Sequence, residues 1–451
     1  MDQPKYDIRL IAHACATISD GNSSLIFDPW FFGTAFNNGW KLNQDIDISR
    51  LPLGSITHVC ITHEHPDHFH IPTLKHLNDI WNPIFLIQAT SDRRMASFIS
   101  KALRKDVVEL EDGESFSLSP AMAIEIYSHG HMDSFALVKA NESSILNIND
   151  CVLKDEKSLK SIKKRLSVKS IDVLMSQYSF ASYSGNAENT NNLKRTAEKH
   201  LKWVKQRNDF FRPKVFLPFA SGIKWCANEN NYLNEYSVKA DDVENILMSS
   251  KTPPLILKPH TNKTIAIKNM SITSEDLRLE VIHEESPRKD KLHSNSDEIK
   301  PPRELNAIAF SARTKLNRQN LMMTTPLMHA LGAIHALERV LVEVNLTSNQ
   351  KTYYELRPGL RLCRLRDTRQ RNIAKYRSHI AMSIDSLTYC FSHQFGAETL
   401  WVNSRFQILK GAPKSYFKHF YFSILANQGF FFPFGYIMFV WNRILKPRFF
   451  Q

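Results

Sequence analysis

The chain has 451 residues, of which 43% are apolar and 23% charged, enough for two or three domains with ordinary hydrophobic cores. Its formal net charge of +13 is concentrated at one end: residues 301–451 contain 21 Lys and Arg against seven Asp and Glu, whereas residues 1–300 contain 37 against 38. The six cysteines form no Cys-x-x-Cys pair, which argues against a disulfide framework or a cysteine-based zinc module, and the first residues lack a secretory pattern, so we expect a cytoplasmic protein.

Between residues 8 and 268, short β-rich apolar segments alternate with turns and helical stretches. Residues 8–13 and 24–27 flank the turn Asp20-Gly21-Asn22 and predict a hairpin. Further strands are predicted at 58–62, 84–87, 122–127, 135–138, 145–148, 171–175 and 215–219, and helices at 73–78 and 189–205. Neighbouring strands mixed with helices predict an α/β domain, which we place at residues 1–272.

The C-terminal part begins with a charged, poorly apolar stretch at 273–305, which predicts a linker. A small basic α+β domain is predicted at 306–410. Its elements are a helix at 328–339, strands at 340–346 and 352–356, a helix at 386–393 capped by Asp385, and a strand at 399–408. A basic cluster between Arg361 and Arg377 is either an anion-facing patch or a solvated surface.

The last predicted segment, residues 411–451, is rich in phenylalanine and flanked by basic residues. Residues 419–442 contain no Lys, Arg, Asp or Glu, but Pro433 and Gly435 interrupt them, and a membrane span needs about 20 consecutive apolar residues. Two interpretations stay open. The segment either lies in the interface of an anionic membrane, at its inner face, or forms an aromatic hairpin that packs on the rest of the chain or in a homodimer interface. Nucleic acid is disfavoured because aromatic and basic residues do not interleave.

Four ligand-type side chains, His63, His65, Asp67 and His68, follow the apolar strand predicted at 58–61. A loop that leaves a sheet with this spacing can present two ligand pairs to two neighbouring metal ions, and imidazole and carboxylate suit zinc, iron or manganese. Two further predicted strands end near His129 and Asp150. A His and an Asp from these strand ends would complete one metal site and bridge to the other.

This order of histidines and aspartates resembles the metallo-β-lactamase superfamily. Residues 7 to 265, through runs such as Asp28-Pro29-Trp30 and Leu217-Pro218-Phe219-Ala220, are similar to the metallo-β-lactamase-like domain of the CMP-N-acetylneuraminate (CMP-sialic acid) hydroxylase family. The resemblance implies an αββα sandwich with a metal pocket at one edge of its two sheets. It assigns His63, His65 and His129 to one metal ion and Asp67 and His68 to the other. Asp150 is expected to bridge the two ions.

The chain departs from these families in two places. Hydrolytic superfamily members usually close the second metal site with a late histidine, where this chain has Ala220-Ser221-Gly222; His260 is a candidate replacement, and His131 a candidate substitute ligand or proton carrier. The hydroxylase also carries a Rieske iron–sulfur domain, which needs two Cys-x-His-type ligand pairs. The sequence has none, so no iron–sulfur cluster is predicted in this chain.

The residues favour a hydrolase, in which metals lower the pKa of bound water and Asp67 orients it. The alternative is an iron-dependent oxygenase that receives electrons from a separate protein, and a third hypothesis is a non-catalytic metal-binding scaffold. Both enzyme hypotheses require two divalent metal ions.

Tyr178, Ser182, Tyr183 and Lys224 are candidate substrate contacts, with Asn186 and Trp225 nearby. The resemblance implies a small-molecule substrate such as a phosphorylated or nucleotide-linked sugar or lipid. The domain at 306–410 is similar to a sterol-carrier-protein-2-like module, which implies an apolar cavity for a lipid or a dimerisation surface.

Overall fold

The structure is a computed structural model, and it describes residues 6–44, 46, 54–130, 132–256, 264–268, 278–282, 302–333, 336–347, 350–365 and 373–431. The chain divides into two compact units. The first comprises Met1–Ala181, Asn191–Trp225 and Leu233–Asp290, and the second comprises Ser182–Thr190, Cys226–Tyr232 and Lys291–Gln451. Two short segments within residues 1–272, the predicted α/β domain, thus belong to the second unit. Domain boundaries drawn along the sequence did not predict this.

The first unit is built from strands and helices in mixed order. In chain order its strands are β1 (Asp7–Ala12), β2 (Cys15–Ser19), β3 (Ser24–Phe27), β4 (Thr34–Ala35), β5 (Trp40–Leu42), β6 (His58–Ile61), β7 (Ile84–Gln88), β8 (Val107–Leu110), β9 (Ser115–Ser119), β10 (Met122–His129), β11 (Asp133–Ala140), β12 (Ser143–Asn149), β13 (Val173–Gln177), β14 (Val215–Phe219), β15 (Ile223–Trp225), β16 (Leu255–Ile256), β17 (Thr264–Lys268) and β18 (Arg278–Ile282). Its helices are α1 (Ile71–Trp81), α2 (Arg94–Leu103), α3 (Glu156–Lys163), α4 (Thr190–Phe211) and α5 (Ala240–Met248).

Two large sheets pack face to face in this unit. One has the order β18-β17-β1-β2-β3-β6-β7-β8 and the other β16-β14-β13-β12-β11-β10-β9. Their shared core includes Phe27 from the first sheet and Ile145 from the second, whereas the next residue, Leu146, packs in a second core with Leu159 of α3 and Val204 of α4. Successive strand residues therefore face opposite layers, and the predicted αββα sandwich is confirmed.

Several predicted elements differ from the structure. The predicted hairpin of 8–13 with 24–27 was wrong, because β2 lies between β1 and β3 and pairs with both. Strand β18 lies inside the predicted linker at 273–305 and pairs with β17. In the predicted strand at 399–408, the first half is helix as far as Asn403, and a strand begins only at Phe406. Ser383 rather than Asp385 caps the preceding helix.

The second unit is built around a five-stranded sheet with the order β21-β20-β19-β22-β23. Its strands are β19 (Val340–Asn345), β20 (Lys351–Arg357), β21 (Arg361–Arg364), β22 (Ser378–Ser383) and β23 (Phe406–Lys410), and its helices are α6 (Pro302–Gln319), α7 (Thr324–Ala333), α8 (Ile384–Ser392), α9 (Gly396–Asn403), α10 (Pro413–Phe417) and α11 (Tyr421–Asn427). Strands β19 and β22 are parallel, and the other neighbours are antiparallel.

The first part of the Phe-rich tail belongs to the core of the second unit. Tyr416, Phe420 and Leu425 are buried there with residues of the sheet and of α8. Residues 432–451, which hold the rest of the predicted tail, lie outside the described residues. Among the helices that the structure describes, none has the length and apolar character needed to cross a membrane.

Candidate metal centre

Asp28 anchors the loop that carries the predicted ligands. Parallel strands β3 and β6 end side by side, with Asp28 directly after β3 and Thr62 directly after β6. The Thr62 backbone N–H donates to Asp28 Oδ1 at 2.8 Å, and the Thr62 hydroxyl donates to Asp28 Oδ2 at 2.7 Å. Burial raises the pKa of the Asp28 carboxyl, which lies wholly inside the unit. The loop therefore starts from a fixed position at the end of the sheet.

The same two residues orient two imidazoles of the loop. Asp28 Oδ2 lies 3.0 Å from His68 Nδ1, and Thr62 Oγ1 lies 3.1 Å from His63 Nδ1. The contact with Asp28 favours the His68 tautomer that carries the proton on Nδ1, which leaves Nε2 as a metal ligand. At the other end of the loop, His70 caps α1 by accepting a hydrogen bond from the Thr73 N–H.

Five of the predicted ligands converge. His63 Nε2 lies 2.8 Å from His65 Nδ1, and Asp67 Oδ2 lies 3.3 Å from His68 Nε2. Asp150 Oδ2 lies between the two pairs, 3.6 Å from His63 Nε2 and 3.7 Å from His68 Nε2. Asp150 follows β12 of the second sheet, whereas the other four side chains come from the first, so the arrangement spans the sandwich.

These residues fit a pair of divalent metal ions. Ligand atoms about 2.0–2.2 Å from one ion lie roughly 2.8–3.6 Å from each other, close to the spacings of the two loop pairs. His68 Nε2, Asp67 Oδ1 and Asp150 Oδ1 are buried and have no hydrogen-bond partner within the described part of the chain. Buried lone pairs of imidazole and carboxylate without donors are the donor set that zinc, iron and manganese prefer.

The charges of the loop are strongly coupled. Burial opposes ionisation of Asp67, yet His68 and His13 hold the pKa of this carboxyl well below its ordinary value. Burial likewise opposes protonation of His68, yet the carboxylates of Asp67, Asp150 and Asp28 raise its pKa well above its ordinary value. The site therefore stabilises a cation close to His68 Nε2.

Asp133 and His129 occupy facing positions on the hairpin of β10 and β11. The ligand atoms of Asp133, His63 and His65 lie within 4.8 Å of one another, although the sequence pattern did not single out Asp133. His129, the predicted third ligand of the first metal, is half-buried, and burial lowers its pKa. This hairpin thus places the Asp133 carboxylate beside the first pair of ligands. The predicted ligand His129 is in none of the groups of ligand atoms found within 4.8 Å of one another among the described residues.

His13 is a further site residue that the sequence pattern missed. It lies in the turn between β1 and β2, and its Nε2 is 2.9 Å from Asp67 Oδ2. Its ligand atom lies within 4.8 Å of those of Asp67 and His68. The signal that found the other ligands, a histidine at a strand end, was present here too. His131 and His260, the remaining predicted candidates, lie outside the described residues.

The predicted substrate contacts are distributed over both units. Tyr178 is buried in the core between the second sheet and its helices, which does not favour a substrate contact. Ser182 and Tyr183 belong to the second unit, where the Tyr183 ring stacks on Phe406 with centroids 4.4 Å apart and its hydroxyl donates to Asn186. Lys224 is exposed on β15, opposite Lys41 of β5.

The first unit also matches a known family model. Residues 7–175 match the family model described as a beta-lactamase superfamily domain. This part of the first unit has the metallo-β-lactamase fold.

The chain is also similar to cytidine monophosphate-N-acetylneuraminic acid hydroxylase of Xenopus laevis, with 23% identity over 296 residues, 60% of this chain and 48% of the relative. The chain spans about half the length of this relative, and the resemblance predicted from the sequence is confirmed.

Two solved structures are also similar to part of this chain. CmlA, a diiron β-hydroxylase from Streptomyces venezuelae, is 15% identical, with a TM-score of 0.41 over 59% of this chain and 54% of that chain. Igni18, a metallo hydrolase from Ignicoccus hospitalis, is 11% identical, with a TM-score of 0.40 over 58% of this chain and 98% of that chain.

Proposed function

We propose that the first unit is a binuclear metal-dependent hydrolase. The observation that carries this proposal is the placement of Asp150 between two ligand pairs, His63 with His65 and Asp67 with His68. All of these groups come from this chain, and hydrolysis requires no electron donor. Divalent metals bound here would supply Lewis acidity and lower the pKa of bound water.

Side chains of this unit have two roles in that reaction. Asp28 and Thr62 hold the imidazoles of His68 and His63 in place, so little reorganisation is needed during turnover. Asp67, kept ionised by its histidine neighbours, has a buried Oδ1 without a hydrogen-bond partner in the described residues. Asp67 Oδ1 can accept a hydrogen bond from an attacking water and orient it.

A second candidate function is an iron-dependent hydroxylase. The similarity to cytidine monophosphate-N-acetylneuraminic acid hydroxylases favours it, and so does the third carboxylate, Asp133, beside His63 and His65. This function would need electrons from a separate protein. For either reaction we propose a phosphorylated or nucleotide-linked small molecule as the substrate, on the basis of the same relatives.

Reconstitution of the metal-free full chain separates the two functions. We expect the zinc-loaded protein to hydrolyse phosphodiester or lactone substrates, and Asp150→Asn to lower its kcat/KM by at least about 100-fold, because the two ligand pairs lose their shared carboxylate. Dioxygen uptake that requires iron and a reductant, without zinc-dependent hydrolysis, would establish the hydroxylase instead. Zinc binding with neither activity, and an unchanged biological role in Asp67→Ala and His68→Ala variants, would indicate a scaffold.

For the basic C-terminal part we propose peripheral binding to an anionic membrane surface. Residues 301–451 carry a net charge of +14, from 21 basic against seven acidic residues, whereas residues 1–300 are nearly neutral. A cationic segment with an aromatic end is attracted to anionic headgroups by both charge and apolar burial. A homodimer interface is the competing hypothesis for the same segment.

A further inference from the structure

The loop after β14 cannot supply the late histidine that hydrolytic members use at the second metal. Its residues are Ala220-Ser221-Gly222, and the Ala220 N–H donates to the His13 carbonyl oxygen at 2.9 Å. A Cβ on Gly222 would lie 2.8 Å from the His13 nitrogen and 2.9 Å from its Cα. No side chain fits at position 222, because the backbone of this loop packs directly on the backbone of His13.

His13 itself is held rigidly at the end of the first sheet. Its φ of 40° is in the left-handed region, which the tight connection between β1 and β2 imposes. Its side chain is 3% exposed, and its ring packs edge-on against Trp30 and His68, with centroid distances of 5.8 and 5.4 Å. The imidazole therefore has one well-defined position, with Nε2 directed at Asp67.

The spacing around Asp67 suits a shared metal ion. His13 Nε2 and His68 Nε2 lie 2.9 and 3.3 Å from Asp67 Oδ2. Both distances fall within the roughly 2.8–3.6 Å that separates two ligand atoms bound at about 2.0–2.2 Å to one ion. Asp150 Oδ2 is 3.7 Å from His68 Nε2 and 3.6 Å from His63 Nε2, a member of the first ligand pair.

We propose that His13 is a ligand of the second metal ion and replaces the missing late histidine. The second site then comprises His13, Asp67, His68 and the shared Asp150. This inference rests on the binuclear centre proposed above, but it does not depend on which reaction the centre performs.

The competing role for His13 is that of a positioning residue that donates a hydrogen bond to Asp67. The two roles predict losses of different size. Removing a residue that only orients a ligand lowers metal affinity by about 10–100-fold. Removing a ligand is expected to lower the affinity for one of the two ions by more than about 100-fold and to leave the other unchanged. A glutamine at position 13 separates them further, because its amide can still donate to Asp67 but binds zinc and cobalt poorly.

The test is a metal titration of the metal-free full chain. Calorimetry and the absorption spectrum of bound cobalt(II) measure the affinities, and metal analysis gives the number of bound ions. We expect wild type to bind two ions, and His13→Ala and His13→Gln to bind one with unchanged affinity and the second more than about 100-fold more weakly. Added imidazole should restore the second cobalt signal in His13→Ala. The control is His58→Ala, which removes a buried imidazole from the opposite end of β6, where it contacts Ser23 and Thr57.

Two results would overturn the ligand role of His13. One is a second ion that His13→Ala binds no more than about 100-fold more weakly than wild type, and the other is a second ion that His13→Gln binds no more than about 100-fold more weakly. A wild-type chain that binds fewer than two ions would overturn the binuclear centre as well. Two bound ions without hydrolysis would refute only the proposed reaction. If circular dichroism shows that His13→Ala does not fold, the more conservative His13→Gln decides.

Discussion

At the scale of single residues, Asp28 connects the fold to the chemistry. It accepts hydrogen bonds from Thr62 twice, contacts His68 Nδ1 and accepts a third hydrogen bond from the Asn149 amide at 3.3 Å. A carboxylate behind a metal-binding histidine fixes its tautomer and increases its basicity. Asp28 therefore determines how well His68 can bind a metal without contacting the metal itself.

We predict that Asp28→Asn weakens metal binding by about 10–100-fold, because an amide cannot accept from both Thr62 and His68 without turning a donor toward one of them. Titration calorimetry of zinc into the metal-free full chain measures the change. The control is Asp155→Asn, which conserves the capping role of an exposed residue at the start of α3 and should leave the affinity unchanged. Equal affinities for the two variants would contradict the role given to Asp28.

The sequence predicted the candidate ligands in the loop after β6, but not the residues from other parts of the chain that lie beside them. His63, His65, Asp67 and His68 are close in the chain, so their spacing alone indicated a common site. His13 also lies at the end of a predicted strand, but its approach to the loop depends on the sheet order, and that of Asp133 depends on the register of a hairpin. A local pattern does not show which distant residues will meet. For the same reason, no local pattern indicated that Tyr183 would pack in the second unit.

At the scale of elements, helix α9 shows why propensity misled the prediction at 399–408. The segment contains Thr399, Trp401 and Val402, which favour strands, but it continues as a helix to Asn403 and ends at Ser404, with a left-handed φ of 57°. Its start at Gly396 packs against the end of α8, where a Cβ would lie 2.4 Å from the Cys390 carbonyl oxygen. Tertiary packing therefore decides the structure of this segment.

We predict that Gly396→Ala destabilises the second unit by about 1–3 kcal/mol, because the added methyl group must push α9 away from α8. Hydrogen exchange of peptides from the second unit measures the change without requiring the whole chain to unfold in one step. Val402→Ala, which shortens a half-buried side chain in the same helix, should cost less than about 1.5 kcal/mol. Wild-type exchange rates in Gly396→Ala would contradict this prediction, because they would show that α8 and α9 accommodate the methyl group without loss of stability.

At the scale of the whole molecule, charge and structure divide the chain in related ways. The excess of basic residues lies beyond residue 300, in the part of the chain that forms most of the second unit. The two large sheets and the candidate metal ligands belong to the first unit, for which the sequence predicted an α/β fold. The composition of the Phe-rich tail did not show that its first part would lie in the core of the second unit.

We predict that the full chain floats with phosphatidylserine-containing vesicles but not with neutral ones, and that binding decreases as salt shortens the Debye length from about 10 Å at 0.1 M to about 3 Å at 1 M. The informative variant ends after Phe431, because a shorter chain would remove Tyr416, Phe420 and Leu425 from the core. Flotation that survives this truncation would refute membrane binding by the end of the tail. A salt-independent dimer in sedimentation experiments would favour the homodimer.

The position of the candidate ligands on both sheets has a consequence for folding. His13 and Asp150 are 137 positions apart in the chain, so a complete centre cannot form until the sheets that carry them have packed together. Contacts between residues so distant in sequence are slow to form, because a long loop must close first. A metal ion would therefore bind late in folding, after the two sheets have packed together. It would stabilise the folded unit rather than nucleate its folding.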